Sequence, residues 1–354
     1  MRRAIEGGDG RRQAGVEQRK TAVEYVNLGA TGLKVSRFCL GVMSYGDPTQ
    51  GWNPWILPPE QGMVFMRQAR ELGINFFDVA DVYAGGSSES FLGEAMAELY
   101  RRDEIVIATK VGGRVGANSI AQGEGWPTVQ GTSRKHIFDG VDASLKRLKT
   151  DYIDLYQIHS FDPTTPVDET IGALHDLVKS GKVRYIGASN IPSFRLAQAL
   201  YKADLKGQTR FVSVQHHYNL IYREDERDLL PLMQDEGVAS MPWSPVARGF
   251  LAGNRSAGTE RSKTDPMGAH LYGSDNDFAI AERAAGLAKA LGVAPAALAL
   301  AWLLHRPGVT IPVIGATKPH HLTDAVSALD IKLTEEQLTS LEELYQPRKA
   351  NSFR

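Results

Sequence analysis

From residue 23 onward, hydrophobic and polar positions are organised in blocks. Short apolar runs without internal alternation recur: NFFDVA (75–80), IVIATK (105–110), YIDLYQIH (152–159), VRYIGASN (183–190) and FVSVQHHYN (211–219). Strands buried on both faces of a parallel sheet have this pattern. Stretches of helical pattern lie between them. One spans 59–72, with Pro59 at its start and Gly73 as C-cap. Others run from Ser88 to about Tyr100, with Ser88 as N-cap, and over 133–148, 167–180 (closed by Gly181), from Pro192 to 206, and 224–236. SRFCLGVMSYG supplies a first strand, VASMPWSP a short strand stopped by Pro242, and VTIPVIG a last one. Helices are expected at 277–291, 295–305, 320–329 and 334–345, the last opened by the capping pattern LTEEQL.

Eight strand-then-helix units follow from this count. Two short runs around Gly29 and Thr31-Gly32 add a hairpin in front. The expected fold is a single α/β domain, a (β/α)8 TIM barrel with an N-terminal β-hairpin and extra helices, over residues 23–345, with a tail at 346–354. Residues 1–22 are rich in Gly, Arg and Gln with no apolar block, and read as a disordered extension rather than a secretory signal. Glu6, Asp9 and Glu17 weigh against a transit peptide. Two long Gly-rich loops, after the third and seventh strands, are of a length that is usually functional.

Composition narrows the function classes. Hydrophobic residues at 42% and charged residues at 23% are globular values. A net charge of -1 argues against a nucleic-acid surface or a polybasic membrane anchor. The single cysteine, Cys39, excludes an intrachain disulfide framework and reads as a buried, inert thiol. No apolar run approaches the roughly 20 residues of a membrane span, so a cytoplasmic protein is the default expectation.

In a barrel of this kind the reactive groups sit at the carboxyl ends of the strands. The polar residues there are Asp78 and Tyr83, Lys110, His159, Ser189 and Asn190, Gln215, then Trp243 and Ser244. Singly, each has an ordinary reading: Lys110 as a solvent-facing strand end, His159 as a satisfied core histidine, Gln215 as a solvated terminus. Together they fit one task. A tyrosine hydroxyl with an unperturbed pKa of about 10 needs a nearby cation to give up its proton to a carbonyl oxygen. Lys110 can be that cation, Asp78 can hold it charged, and His159 can donate to the same oxygen. The set holds no serine–histidine nucleophile pair and no Gly-x-Ser-x-Gly elbow. A metal on Asp78 and His159 would be repelled by Lys110, so none is expected.

The segments NFFDVADVY, IATK, DLYQIH, GASN and SVQHHYNL are similar, in order and spacing, to the signature segments of the aldo-keto reductases, from about residue 25 to 344. LGATGLKVSRFCLGVMSYG resembles the bacterial and fungal branch. The resemblance implies NADPH-dependent reduction of an aldehyde or ketone, with Asp78, Tyr83, Lys110 and His159 as catalytic tetrad and Tyr83 as proton donor. It implies that Ser189, Asn190 and Gln215 bind the nicotinamide carboxamide and that Trp243 stacks on the ring, where many members have tyrosine. Ser244, Val246 and Gly249 would approach the pyrophosphate. Gly315, Ala316, Thr317 and Lys318 would open the 2′-phosphate and adenine site, with His321 and Asp324. His321 stands where relatives often have Arg or Gln, and Ala325 where they often have Asn. Relatives tend to begin just before the EYVNLG-like segment, so Val23 is a candidate initiator. The partner implied is a small carbonyl compound. Its identity would be set by the long loops after the first, third and seventh strands and by the C-terminal tail; Trp52, Trp55 and Trp126 lie on such loops. Two other readings stand beside this one: a cofactor-binding regulatory subunit, as in the channel-associated branch of the family, and a Schiff-base aldolase using Lys110.

Overall fold

The first described elements are two three-residue strands, β1 (Tyr25–Asn27) and β2 (Lys34–Ser36), paired antiparallel as expected. Leu28 and Val35 of this hairpin are fully buried and join a cluster with Cys39, Phe76, Val106 and Met241. The Ala30 amide donates to Gly237 O, just ahead of a barrel strand. The hairpin is therefore a plug over the amino ends of the strands, opposite the end where chemistry is expected. Cys39 lies inside this cluster, and burial pushes its thiol well above the usual range, in keeping with an inert role.

The computed structural model describes residues 23–50, 54–115, 126–253, 264–308 and 311–349. After the hairpin come β3 (Cys39–Gly41), α1 (Pro59–Glu71), β4 (Phe76–Asp78), α2 (Ser87–Leu99), β5 (Val106–Val111) and α3 (Arg134–Leu148). They are followed by β6 (Ile153–Ile158), α4 (Val167–Lys179), β7 (Val183–Ser189), α5 (Ser193–Leu205), β8 (Phe211–His217), α6 (Leu229–Asp235) and β9 (Ala239–Trp243). The last elements are α7 (Pro266–Leu271), α8 (Asp275–Leu291), α9 (Pro295–His305), β10 (Val313–Ile314), α10 (His320–Ser327) and α11 (Glu335–Glu342). Strands β3 to β10 form one parallel eight-stranded sheet in the order β10-β3-β4-β5-β6-β7-β8-β9. The sheet's two ends meet where the Ile311 amide donates to Ser240 O at 3.0 Å. This is the expected (β/α)8 barrel.

Strand periodicity decides what faces the site. In β5, Val106 and Ala108 belong to the interior cluster, while Ile107 and Val111 pack in the layer under the helices. Successive side chains alternate faces, so Lys110 points inward. The helix ends follow local chemistry: Ser133 accepts from the His136 amide at the start of α3, and Thr334 and Gln337 form a capping box on α11.

Three expectations about elements need correction. The helix read over 224–236 is broken into a turn at Glu224–Glu226 and α6, because Pro231 has no amide hydrogen and its ring clashes with the carbonyl four residues back. Pro242 does not stop β9; it lies within it, on the terminal strand of the sheet order, where a missing N–H is tolerated. Ser88 is not the N-cap of α2. Gly86 is, and Ser88 lies inside the helix with its hydroxyl donating to Tyr45 O at 2.6 Å. The proposed extension at 1–22 and the last five residues of the tail lie outside the described residues. Residues 346–349 are tied to the barrel by Arg348, whose amide donates to Glu224 and whose guanidinium donates to Ile221 O. Among the described residues, no single helix is long and apolar enough to cross a membrane.

Candidate active site

Asp78 ends β4 and pairs in register with Ala108 of β5, which sets Lys110 one inward position further along. Lys110 is fully buried and Asp78 nearly so. The Lys110 ammonium donates to Asp78 Oδ2 at 2.6 Å, to Val79 O at 2.9 Å and to the Tyr83 hydroxyl at 3.3 Å. Its three hydrogens thus meet three acceptors. Burial alone would pull the lysine pKa down, but Asp78 and then Tyr83 outweigh it, and the group is held above its ordinary value.

The second oxygen of Asp78 accepts from Gln215 Nε2 at 2.8 Å and from Gln157 Nε2 at 3.1 Å. Gln157 was not among the expected site residues. It pairs in register with Lys110 and is fully buried. Its one signal in the sequence is a polar residue at an inward position, two after Leu155.

Tyr83 opens the turn Tyr83–Gly86 after β4, in which Ala84 has φ 46° and Gly85 and Gly86 have φ 63° and 98°. Burial raises the phenol above its usual value, against the downward pull of the Lys110 charge and a smaller pull from Arg248. The hydroxyl therefore keeps its proton at neutral pH. His159, one residue beyond β6, meets the Tyr83 ring edge to face, with centroids 5.6 Å apart and planes at 84°. Burial, aided by the Lys110 charge, pushes His159 down to about 3, so the imidazole is neutral.

The turn carrying Tyr83 is braced from behind. Glu89 in α2 is fully buried, accepting from Thr109 Oγ1 and from Arg147 Nε of α3, both at 2.6 Å. Glu89 lies in the first turn of α2, yet its ionic partner is 58 residues away. Asp81 is buried beside Glu89, and both effects raise its pKa well above the carboxylate range, burial more than Glu89. Neither Asp81 oxygen has a hydrogen bond of normal geometry, although the Val82 amide lies close enough to lower the pKa a little.

On the other side of the mouth, Ser189 and Gln215 are register partners on β7 and β8. Asn190 follows with φ 49°, and its amide is engaged within the protein. Its Oδ1 accepts from Trp243 Nε1 at 3.0 Å, and its Nδ2 donates to His159 O at 3.0 Å and to Ser189 Oγ at 3.1 Å. Trp243 is half-buried at the end of β9. The next turn has Ser244 at φ 53°, Ala247 at 49°, Arg248 at 56° and Gly249 at 97°. Within it the Gly249 amide donates to Val246 O, so Gly249 presents backbone surface here rather than a spare N–H. Among the described residues, six non-glycine residues have positive φ, and five of them (Ala84, Asn190, Ser244, Ala247 and Arg248) lie on turns at this one end of the barrel. Such conformations persist only where the surroundings enforce them, and they cluster at functional sites. Arg248 is a second residue the sequence reading did not single out; its guanidinium pairs with Asp265, the N-cap of α7.

Further round the rim, Gly315 and Lys318 are exposed, Ala316 is buried with its carbonyl accepting from Tyr45 OH at 2.6 Å, and Thr317 donates its amide to His321 Nδ1 at 3.2 Å. Asp324 is half-exposed on α10, while Ala325 faces the core. Of the three loop tryptophans, Trp55 is buried and Trp126 is 80% exposed. Trp52 lies outside the described residues.

One serine–histidine–aspartate relay does occur elsewhere: His216 bonds Asp225 at 2.7 Å and Ser240 Oγ at 2.8 Å. Ser240 is a fully buried residue of β9, so no substrate reaches it, and the relay joins β8 and β9 to the turn at Glu224–Glu226. No group of three or more His, Cys, Asp or Glu side chains among the described residues could hold a metal ion.

A buried lysine–carboxylate pair touching a tyrosine hydroxyl, with an imidazole beside it at the carboxyl end of a (β/α)8 barrel, defines a class of oxidoreductase site. The chain belongs to the aldo/keto reductase family, whose profile matches residues 37–346. It is 39% identical over 350 residues to an aldo-keto reductase of Metarhizium robertsii, covering 93% of each chain. It is 39% identical over 340 residues to versiconal hemiacetal acetate reductase of Aspergillus parasiticus, covering 92% of this chain and 98% of that one. An aldo-keto reductase of Fusarium vanettenii is 38% identical over 347 residues, covering 93% of both chains. The protein is thus an NAD(P)H-dependent oxidoreductase of carbonyl-reducing type.

Proposed function

We propose that this enzyme reduces an aldehyde or ketone to the alcohol with NADPH, and that Tyr83 delivers the proton. The observation that carries the reading is the Lys110 ammonium, bonded at once to Asp78 Oδ2 (2.6 Å) and to the Tyr83 hydroxyl (3.3 Å) inside a nearly dry barrel end. As negative charge develops on the carbonyl oxygen, Tyr83 passes its proton to it, and Lys110 stabilises the phenolate left behind. Asp78 keeps Lys110 charged, and Gln157 and Gln215 keep Asp78 aimed. His159, neutral and perpendicular to Tyr83, donates to the same oxygen and orients the substrate. The same fixed charge argues against the aldolase reading, because an ammonium with three acceptors and a raised pKa is a poor nucleophile.

The mouth beside this cluster suits a nicotinamide. Trp243 offers a half-exposed flat ring next to Ser189, Asn190 and Gln215. When bound, the cofactor supplies the hydride. Gln215 directs its Nε2 to Asp78, so toward a carboxamide it would present Oε1 as acceptor. Ser244, Val246 and Gly249 would line the pyrophosphate. Gly315, Ala316, Thr317, Lys318, His321 and Asp324 would surround the adenosine end, where the exposed Lys318 supports a 2′-phosphate and hence NADPH over NADH. Titration with NADPH and NADH by tryptophan quenching, then turnover on a panel of aldehydes and ketones, tests the reading. Tighter NADPH binding and carbonyl-dependent NADPH oxidation are expected. No oxidation with any carbonyl would turn attention to the regulatory-subunit alternative.

A further inference from the structure

Behind Trp243 lies a stack of three rings. His217 is sandwiched between Trp243, at 4.2 Å with planes 9° apart, and Tyr222, at 4.0 Å with planes 13° apart. The stack is assembled by two separate features of the fold. His217 and Trp243 are register partners across β8 and β9. Tyr222 is brought back under His217 by a tight turn in which Asn219 and Tyr222 exchange backbone hydrogen bonds of 3.1 and 3.0 Å. Offset or parallel aromatic contacts of this kind add to simple burial and are directional in a way that aliphatic packing is not.

The stack is also fixed at its edges. Tyr272 OH lies 2.6 Å from His217 Nε2 and accepts from Asn219 Nδ2 at 3.0 Å, and the same Asn219 amide donates to Ser244 O at 3.0 Å. Burial, then the nearby charges of His216, Arg348 and Arg248, push His217 well below the usual range, so the ring is neutral. At the opposite edge, Trp243 Nε1 donates to Asn190 Oδ1, and Asn190 Nδ2 donates to the carbonyl of His159. The indole is therefore held by a face on one side and by an N–H toward the reacting groups on the other. A tyrosine at position 243 would have no indole N–H to offer Asn190.

We propose that His217 is a positioning residue for the cofactor: by clamping one face of the Trp243 indole, it sets the plane on which the nicotinamide rests. This rests on the reading that Trp243 stacks on that ring. A neutral imidazole suits the role, because a protonated one would place a positive charge one ring away from the oxidised, cationic nicotinamide. His217 spends buried polar surface to do this: its Nδ1 is buried without a hydrogen-bond partner.

Two substitutions separate the flat face from the polar edge. His217→Phe keeps a ring between Tyr222 and Trp243 and loses the bond to Tyr272. His217→Gln keeps a group able to bond Tyr272 and loses the face. Dissociation constants are measured by quenching for NADPH and for 2′-phospho-ADP-ribose, which lacks the nicotinamide, with thermal melts to verify folding. The expected result for His217→Gln is about tenfold weaker NADPH binding, equivalent to about 1.4 kcal/mol, with unchanged binding of 2′-phospho-ADP-ribose. His217→Phe should stay near wild type for both. Equal losses in the two variants, or a loss shared by both ligands, would overturn the proposal in favour of a purely structural role. If His217→Gln does not fold, His217→Met, which fills the space without a flat face, takes its place with the same expectations. Trp243→Ala serves as the control on the underlying reading. If it leaves NADPH binding intact, the stacking of Trp243 on nicotinamide is wrong. If it weakens NADPH binding while His217→Gln does not, the stacking stands and the role of His217 falls.

Discussion

The Lys110 ammonium lies 3.3 Å from the Tyr83 hydroxyl, and the two groups reach each other from different strands because Lys110 is the third inward-facing residue of β5 while Tyr83 hangs from the turn after β4. That contact sets the acid–base behaviour of the site. Tyr83 is raised by burial and drawn back down by Lys110. With Tyr83 as the proposed donor, the protonated phenol is the active form in the reducing direction. The rate should hold through neutral pH and fall only when alkaline pH removes the donor proton; alcohol oxidation should rise with pH. Lys110→Met removes the downward pull, so the alkaline limb should move to higher pH, and turnover should drop by roughly 10²–10⁴-fold. A pH profile of kcat for both proteins checks this. An unshifted limb would show that Lys110 does not govern Tyr83.

Asp81 bears on stability. Its pKa is raised in the fold, chiefly by burial and then by Glu89. The folded protein thus holds this proton more tightly than the unfolded chain. The Asp81 contribution is fully present below the unfolded value of about 3.9 and declines as pH rises toward the folded pKa. Asp81→Asn mimics the protonated form. Its melting temperature should exceed that of wild type by about 1–3 °C at pH 8, and the gap should close near pH 4. Melts across this range test it, and a gap that widens on acidification would contradict it.

Asp162 has the opposite sign. Partial burial pushes its carboxyl up, but hydrogen bonds from Thr164, Thr165 and the Thr132 amide outweigh this and hold it at about 2. These bonds tie the loop after β6 to the end of the long loop after β5. There Gly131, at φ 81°, approaches so closely that a Cβ would lie 2.6 Å from Asp162 Oδ2. The stabilisation is present above the unfolded pKa of about 3.9 and is lost as pH falls toward 2. Asp162→Ala should melt below wild type at pH 7, with the difference shrinking between pH 4 and pH 2. A constant difference would mean that the charge is irrelevant.

The sequence was most informative where chemistry follows periodicity. Asp78 and Lys110 could be placed inside the barrel because short apolar strands end in single polar residues, and Tyr83 because a Gly-Gly-Ser-Ser turn follows it. Gln157 was hidden because one amide within a buried strand looks like any other buried polar residue until its register with Lys110 is known. The pairing of Glu89 has no local signal, because its partner Arg147 is supplied by the next helix. The positive φ values of Ala84, Ser244, Ala247 and Arg248 have no signature in those residue types, whereas asparagine, as at Asn190, tolerates the left-handed region. They are imposed by tertiary contacts, and so is the pairing of His217 with Trp243. The break ahead of Pro231 could have been foreseen from its ring alone.

The account turns on Tyr83 as proton donor, and Tyr83→Phe tests it with the least disturbance, since the ring packed against His159 is kept and only the hydroxyl is lost. Steady-state reduction of a carbonyl substrate and NADPH binding by tryptophan quenching are measured on the same preparation. The expected result is a fall in turnover of roughly 10²-fold or more with cofactor affinity unchanged. Turnover equal to wild type would contradict the account.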